Sequence, residues 1–338
     1  MKNKTLKDIA KEAGFSIKTI SRVVNKHPDV SKKTRERIEK LIAKYGYTPD
    51  PLARGLRRNI SNVVGYIVPD IVNEYFGAIA IEIEKVFKKY DYTVLLGFSD
   101  GDAEEEKNVI KLLISRRVAG IILASAGENI DIVEDIIKNL KIPLVIIDNK
   151  VKELKTNFVL HDNINGAYKL THHLIEHGYK DIACVTGPLN ETSGKKRLEG
   201  FKKALKESGI EINNELIKIS DWKISGGYDS TLELFQKSRI KPRAIFLANS
   251  IMALGSLKAL KELKLKVPED LALVSFDNLS FTEATDPPLT TLQKASKRIG
   301  MKASEILYER IKSGNLEKID EIYISSDLCI RQSCGCNL

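Results

Sequence analysis

The chain has 338 residues, 43% hydrophobic and 29% charged, the make-up of a folded globular protein with room for two or three domains, which excludes a disordered or fibrous chain. Its 54 Lys and Arg against 45 Asp and Glu give a net +9, yet residues 1–58 hold 16 of the bases and 6 of the acids, leaving 38 against 39 elsewhere. Basic character confined to one end is the footprint of a module that binds a polyanion.

That basic segment reads as helices. Thr5 is placed to cap a first helix in which Leu6, Ile9, Ala10 and Ala13 recur at spacings of three and four, and Gly14 ends it. Ser16 caps a second helix, expected over residues 17–25, with Ile20, Val23 and Val24 inward and Ile17, Lys18, Ser21, Arg22 and Asn25 outward. Two short helices joined by a glycine-containing turn form a helix-turn-helix, whose second helix enters the major groove of DNA. Ser31 caps a third helix with a stripe of Ile38, Leu41, Ile42 and Tyr45, closed by Gly46. After Pro49, the stretch Pro51-Leu52-Ala53-Arg54-Gly55-Leu56-Arg57-Arg58 is too short, and too weakened by Gly55, to hold a helix alone, so it is expected to fold only on docking.

From Asn62 on, short apolar runs alternate with amphipathic helices, the mark of parallel α/β architecture. Nine strands are expected, at 63–69, 93–98, 120–124, 143–147, 158–161, 182–185, 216–219, 244–247 and 271–276. The helices between them should bury Ile79, Ile83, Val86, Phe87 and Tyr90, then Val109, Leu112 and Leu113, then Val133, Ile136, Ile137 and Leu140, with further helices around Leu170, Phe201, Leu232 and Leu257. So many strands fit two doubly wound units better than one sheet. Ligands of such sheets bind beyond the carboxyl ends of strands, which singles out Tyr75, Phe76, Ser125, Asp148, Ser193, Arg197, Trp222, Asn249 and Asp277. Carboxylates, amides, a guanidinium fork and aromatic faces together suit a small polyol. Three of these have plainer readings: Arg197 as the partner of a helix carboxylate, Asp277 as the cap of a following turn, Trp222 as a core or interface anchor.

The motifs Thr5-Leu6-Lys7-Asp8-Ile9-Ala10, Ser21-Arg22-Val23-Val24-Asn25 and Gly46-Tyr47-Thr48-Pro49 closely resemble the lactose-repressor (LacI) family of bacterial transcription regulators. Val68-Pro69-Asp70-Ile71, residues 117–122, Arg197-Leu198-Glu199-Gly200-Phe201, Met252-Ala253-Leu254-Gly255 and Pro288-Leu289-Thr290-Thr291 extend the resemblance through the body. It implies that Ile17, Lys18 and Arg22 read bases, that Ser16, Ser21, Asn25, Ser31, Thr34 and Tyr47 hold phosphates, and that Leu56 wedges into the minor groove. Thr5, Leu6, Ala53 and Arg57 complete the expected DNA-binding set. Plainer readings keep Ile17 as core and Arg22 and Lys18 as a solvated face.

The fold class implied is α/β, with an all-α headpiece over residues 1–48, a hinge over 49–60, and a periplasmic-binding-protein-like core over 61–338. Within the core, residues 61–161 plus 292–321 form one subdomain and 162–291 plus 322–338 the other, with crossovers near Asp162, Thr291 and Ile322. One departure stands out: the family usually has Asn-Asp before the Met-Ala pair, and here the residues are Asn249-Ser250.

Enzyme signals fail. Residues 187–196 resemble a P-loop only loosely, with six residues between Gly187 and Gly194 and Lys196 where Ser or Thr is required; no G-x-S-x-G elbow occurs. His173 and His177 are four apart without a carboxylate at the HExxH position, while Cys329, Cys334 and Cys336 lack a fourth ligand, so no metal and no cofactor are expected. Too few and too clustered for a disulfide framework, the cysteines join the missing apolar span and export signal in pointing to the cytoplasm. The expectation is a homodimeric repressor on a near-palindromic double-stranded DNA operator, controlled by a sugar or sugar derivative in the cleft. Alternatives are a non-sugar effector such as a purine, a protein co-regulator, or an activator. An exported sugar-binding protein is excluded by the DNA-binding head.

Overall fold

A computed structural model describes residues 5–24, 27–45, 61–125, 130–151, 154–293 and 295–336. The expected hinge, together with Asn25, Tyr47, Ala53, Leu56 and Arg57, lies outside these residues. The chain divides into two compact units, 1–61 and 62–338.

The first unit holds three helices, α1 (Leu6–Ala13), α2 (Ile17–Val24) and α3 (Lys32–Lys44). Local chemistry sets their ends. The Thr5 hydroxyl accepts from Asp8 N while the Asp8 carboxylate accepts from Thr5 N at 2.8 Å, a reciprocal capping box, and Gly14 closes α1 in the left-handed conformation. Ser16 accepts from Thr19 N and Ser31 from Thr34 N. Ile9, Ala10, Ala13, Ile20, Val23 and Ile38 bury against one another as the unit's core.

The second unit contains two parallel sheets. β1 (Val63–Val68), β2 (Thr93–Phe98), β3 (Gly120–Ala124), β4 (Leu144–Ile147), β5 (Asn157–His161) and β11 (Glu321–Ile324) form the first, in the order β11-β5-β4-β3-β1-β2. The second is β7-β6-β8-β9, from β6 (Ile182–Thr186), β7 (Ile217–Ile219), β8 (Ala244–Leu247) and β9 (Ala272–Ser275). Helices α4 (Glu74–Lys88), α5 (Ala103–Ser115), α6 (Ile130–Asp135), α7 (Asn163–Glu176), α8 (Thr192–Glu207), α9 (Ile224–Gln236), α10 (Ser250–Glu262) and α11 (Ser296–Ser313) cover the sheets. All nine expected strands are present, each central strand buried on both faces as parallel sheets require.

The structure corrects the reading in several places. Residues 322–324 pair with Val159, Leu160 and His161 in the first sheet, so the third crossover falls after Ile324. The crossings carry a two-stranded antiparallel ribbon, β10 (Thr291–Leu292) on β12 (Leu328–Cys329), too short for any sequence alternation to show. The longest of the described helices, α11, has no capping signal at its start, since Ala295 makes no side-chain cap bond, and the sequence reading does not include it. On α5 it is Ile110 that is buried, while Leu112 is 54% exposed. Leu140 is exposed because residues 136–140 form a π-helical turn, whose wider winding rotates the apolar face. Tyr90 is also exposed and stacks on Tyr308 at 3.7 Å.

Candidate nucleic-acid interface and ligand cleft

In the first unit, α2 buries Ile20 and Val23 and leaves Ile17 42% exposed, which settles Ile17 as a surface residue. Lys18 and Ser16 are exposed beside it, and Ser21 and Arg22 are half-buried. An exposed isoleucine flanked by Lys18 and Arg22 offers an apolar contact for a thymine methyl and donors for guanine O6 and N7. Ser31 and Thr34, joined hydroxyl to hydroxyl at 2.9 Å, stand at the amino end of α3, where backbone N–H groups favour an anion. Thr5 and Leu6 open α1.

In the second unit, loops after several strands bring Asp148, Arg197 and Asp277 together. Arg197, on α8 and 6% exposed, donates to Asn163 Oδ1 at 2.8 Å and to the Ala248 carbonyl, and lies 3.7 Å over the Phe276 ring. Its guanidinium is 3.9 Å from the Asp277 carboxylate and 5.5 Å from the Trp222 ring. Among the described residues, no helix carboxylate pairs with it. Trp222 donates to Glu191 at 2.8 Å, and both Trp222 and Asp148 hold positive φ values of 67°, rare for side chains of this kind and a form of strain that clusters at binding sites.

Burial dominates the acids. It pushes the Asp148 carboxyl up from 3.8 to about 6, with Glu191 and Asp277 adding to the rise and Arg197 opposing it. Burial likewise raises Asp277 against the pull of Arg197, and raises Glu191 against its bond from Trp222. His161 is driven down to about 3, by burial first and then by Arg197 and Arg298, so it is a neutral ring. Because Asp148 is raised in the folded chain, folding takes up a proton between the two values, and that stabilisation is lost as the pH rises through 6. Asp148→Asn is therefore expected to raise stability by about 1 to 3 kcal/mol at about pH 8 and to change little at about pH 4. Urea unfolding at both pH values measures it; equal effects at both would show that Asp148 does not titrate this way.

A cavity of about 20 Å³ lies here, lined by Tyr75, His161, Phe276, Asp277, Gln293 and Ser296 among others, with room for about one water. The Tyr75 hydroxyl and His161 Nδ1 are buried without a hydrogen-bond partner among the described residues. On either side the two sheets' elements are bridged: Ser280 donates to Glu74 through both N–H (2.7 Å) and hydroxyl (2.6 Å). The Ser193 N–H and hydroxyl both reach Asn149 Oδ1 at 3.2 Å, and Thr192 exchanges bonds with the Lys150 backbone.

Of the nine expected cleft residues, Tyr75, Asp148, Arg197, Trp222 and Asp277 converge. Ser193 serves a bridge, and Asn249 caps α10 and donates to the Trp222 carbonyl at 3.1 Å. Two face elsewhere: the Ser125 hydroxyl donates to buried Glu106, and Phe76 packs in the first sheet's core with Ile79 and Ile299. Sequence reasoning missed Asn149, Asn163, His161 and Glu191, which carry no motif and gain their roles only through partners distant in sequence. Gly187 is explained by a close approach: a Cβ there would meet the Trp222 ring at 2.0 Å, so the glycine seats the tryptophan rather than a phosphate.

Comparison with known proteins agrees with both units. Residues 5–50 match the profile of bacterial regulatory proteins of the lacI family, and residues 171–334 that of a periplasmic binding protein-like domain. The HTH-type transcriptional repressor PurR of Aliivibrio salmonicida (strain LFI1238) is 33% identical over 93% of this chain and 94% of its own length. PurR of Pasteurella multocida (strain Pm70) is 33% identical over 97% and 98%. The chain belongs to the lacI family of bacterial regulatory proteins. Among solved lacI-family structures, the Lac repressor dimer bound to operator and the anti-inducer ONPF superposes with a TM-score of 0.87 at 26% identity, covering 98% of this chain and 99% of that one. The complex of the regulator CelR with cellobiose gives 0.74 at 26%, with the same coverage. Ser250, which departs from the usual family aspartate, bonds Ser275 at 2.8 Å and the Asp277 carbonyl, pinning the start of α10 to the end of β9. None of the described helices is long and apolar enough to cross a membrane.

Proposed function

We propose that this lacI-family regulator is a cytoplasmic, non-enzymatic repressor that binds a near-palindromic operator as a homodimer and answers to a sugar or sugar derivative held between its two subdomains. The observation that carries the effector reading is the grouping of Asp148, Glu191, Asp277 and Tyr75 around Arg197, with the Tyr75 hydroxyl and His161 Nδ1 buried and unpaired among the described residues. Carboxylates accept from vicinal hydroxyls, the guanidinium donates, and the ring of Trp222 suits the apolar face of a pyranose. Relatives solved with cellobiose or with ONPG support that class.

Control follows from linkage. The bonds joining Glu74 to Ser280 and Asn149 to Ser193 favour one cleft geometry, and an effector that prefers or disfavours it shifts the equilibrium to which operator affinity is coupled. A thermal-shift screen of sugars and nucleobases, followed by operator titration with each hit, tests this. A hit that stabilises the protein without altering operator affinity would overturn the coupling, and hits confined to nucleobases would overturn the sugar.

For the homodimer, the edge strand β2 supplies support: Leu95, Leu96 and Phe98 are 38%, 43% and 58% exposed, with Ile81 on the adjoining α4 at 56%. An apolar sheet edge of this kind is a surface that proteins cover. Leu96→Glu combined with Phe98→Glu is expected to yield a monomer by analytical ultracentrifugation and to weaken operator binding, since linked half-sites bind with higher avidity. An unchanged dimer would place the interface elsewhere.

A further inference from the structure

The carboxyl end of α7 and the segment around Cys334 and Cys336 bring together two pairs of groups, His173 with His177 and Cys334 with Cys336, that are far apart in sequence and play no part in the cleft. His173 and His177, one turn apart on the same helix face, have rings 4.5 Å apart. Cys336 Sγ is 3.2 Å from His173 Nε2 and 2.9 Å from Cys334 Sγ. One ligand atom from each of His173, His177 and Cys336 lies within 4.8 Å of the others. We propose that His173, His177, Cys334 and Cys336 form a Cys2His2 site for a zinc-class divalent metal ion.

The chemistry of the set fits. Two thiolates and two imidazoles are the donors of tetrahedral structural zinc, and soft sulfur disfavours calcium or magnesium. Metal–sulfur bonds near 2.3 Å and metal–nitrogen bonds near 2.0 Å place tetrahedral ligand atoms about 3.3 to 3.8 Å apart, close to the 3.2 Å from Cys336 Sγ to His173 Nε2 and somewhat beyond the 2.9 Å from Cys336 Sγ to Cys334 Sγ. Their surroundings are those of a ligand shell. His177 Nδ1 bonds the His173 carbonyl at 2.7 Å, which fixes the tautomer with the lone pair on Nε2. Thr290 donates to Cys334 Sγ at 3.2 Å. Ser333 anchors the segment by bonding the Leu273 carbonyl (2.7 Å) and accepting from Thr290 N (2.8 Å).

Gly335 makes the Cys-Gly-Cys turn possible. Its φ is 77°, and a Cβ would meet the Tyr179 hydroxyl at 2.7 Å. His173 and Cys334 are buried, whereas His177 is exposed and Cys336 partly so, which leaves the metal an entry path. Both cysteines bind as thiolates, and the dithiolate neutralises the 2+ charge. The bound ion would clamp the end of the chain onto α7, the helix that starts at the first crossover between the sheets.

The full-length protein, reduced with a non-chelating phosphine, should take up one Zn2+ per chain by competition with a chromophoric chelator. Uptake should release protons and raise the thermal midpoint. Co2+ should give the ligand-field absorption of a tetrahedral ion with sulfur-to-cobalt charge transfer. Cys336→Ser and His177→Ala, at positions open to solvent, should lose this tight uptake while keeping the metal-free midpoint; Cys329→Ser, outside the cluster, should keep it. Reduced wild-type protein that takes up no zinc would overturn the site, including the case where Cys334 and Cys336 join only as a disulfide in air. So would stoichiometric binding that survives both ligand variants.

Discussion

Arg197→Ala is expected to abolish the effector response and to destabilise the second unit by about 3 to 5 kcal/mol, the usual result of removing one partner from a buried ionic cluster. The side chain is almost wholly enclosed, holds Asn163 and the Ala248 carbonyl, and covers Phe276. Its loss leaves Asp148 and Asp277 without the cation that opposes their burial, so both carboxyls rise further and protonate. Asp277→Asn keeps the volume and should lose the response at a smaller cost in stability. Thermal unfolding paired with operator titration separates the two effects. Arg197→Ala protein that melts like wild type and still answers to the effector would remove Arg197 from both roles.

The second large effect belongs to the first unit. Arg22→Ala should cost about 1 to 3 kcal/mol on the specific operator and almost nothing on scrambled DNA, because a base contact discriminates and phosphate contacts do not. The neighbouring Ile17 is held at the surface by the burial of Ile20 and Val23, so the reading face keeps its shape in the variant. Titrations of both DNAs at two salt concentrations decide: an unchanged specific-to-scrambled ratio would show that Arg22 does not read a base. The Arg22→Ala protein should retain an intact second unit, since residues 1–61 and 62–338 are two compact units.

What could be read directly from the residues was whatever short-range chemistry controls. Thr5 with Asp8, Ser16, Gly14 and Ser31 act within a few positions of themselves, so the three headpiece helices and their buried stripe were visible as spacing. The nine strands were visible because both faces of a central parallel strand are buried, which writes a continuous apolar run into the chain. Residues 322–324 and the ribbon of β10 on β12 were hidden, being short and paired with strands far away in sequence.

The sites divide along the same line. Sequence position beyond strand ends named Asp148, Arg197 and Asp277, and their pairing with Glu191, Asn163, Tyr75 and His161 depended on bringing together elements of two separate sheets. Taken singly, the His173 and His177 pair lacked acids and the terminal cysteines lacked a fourth ligand. Only the return of the chain end to α7 puts Cys336 within 3.2 Å of His173, because a contact between residues 163 positions apart is set by the fold of everything between them and leaves no periodicity in either segment.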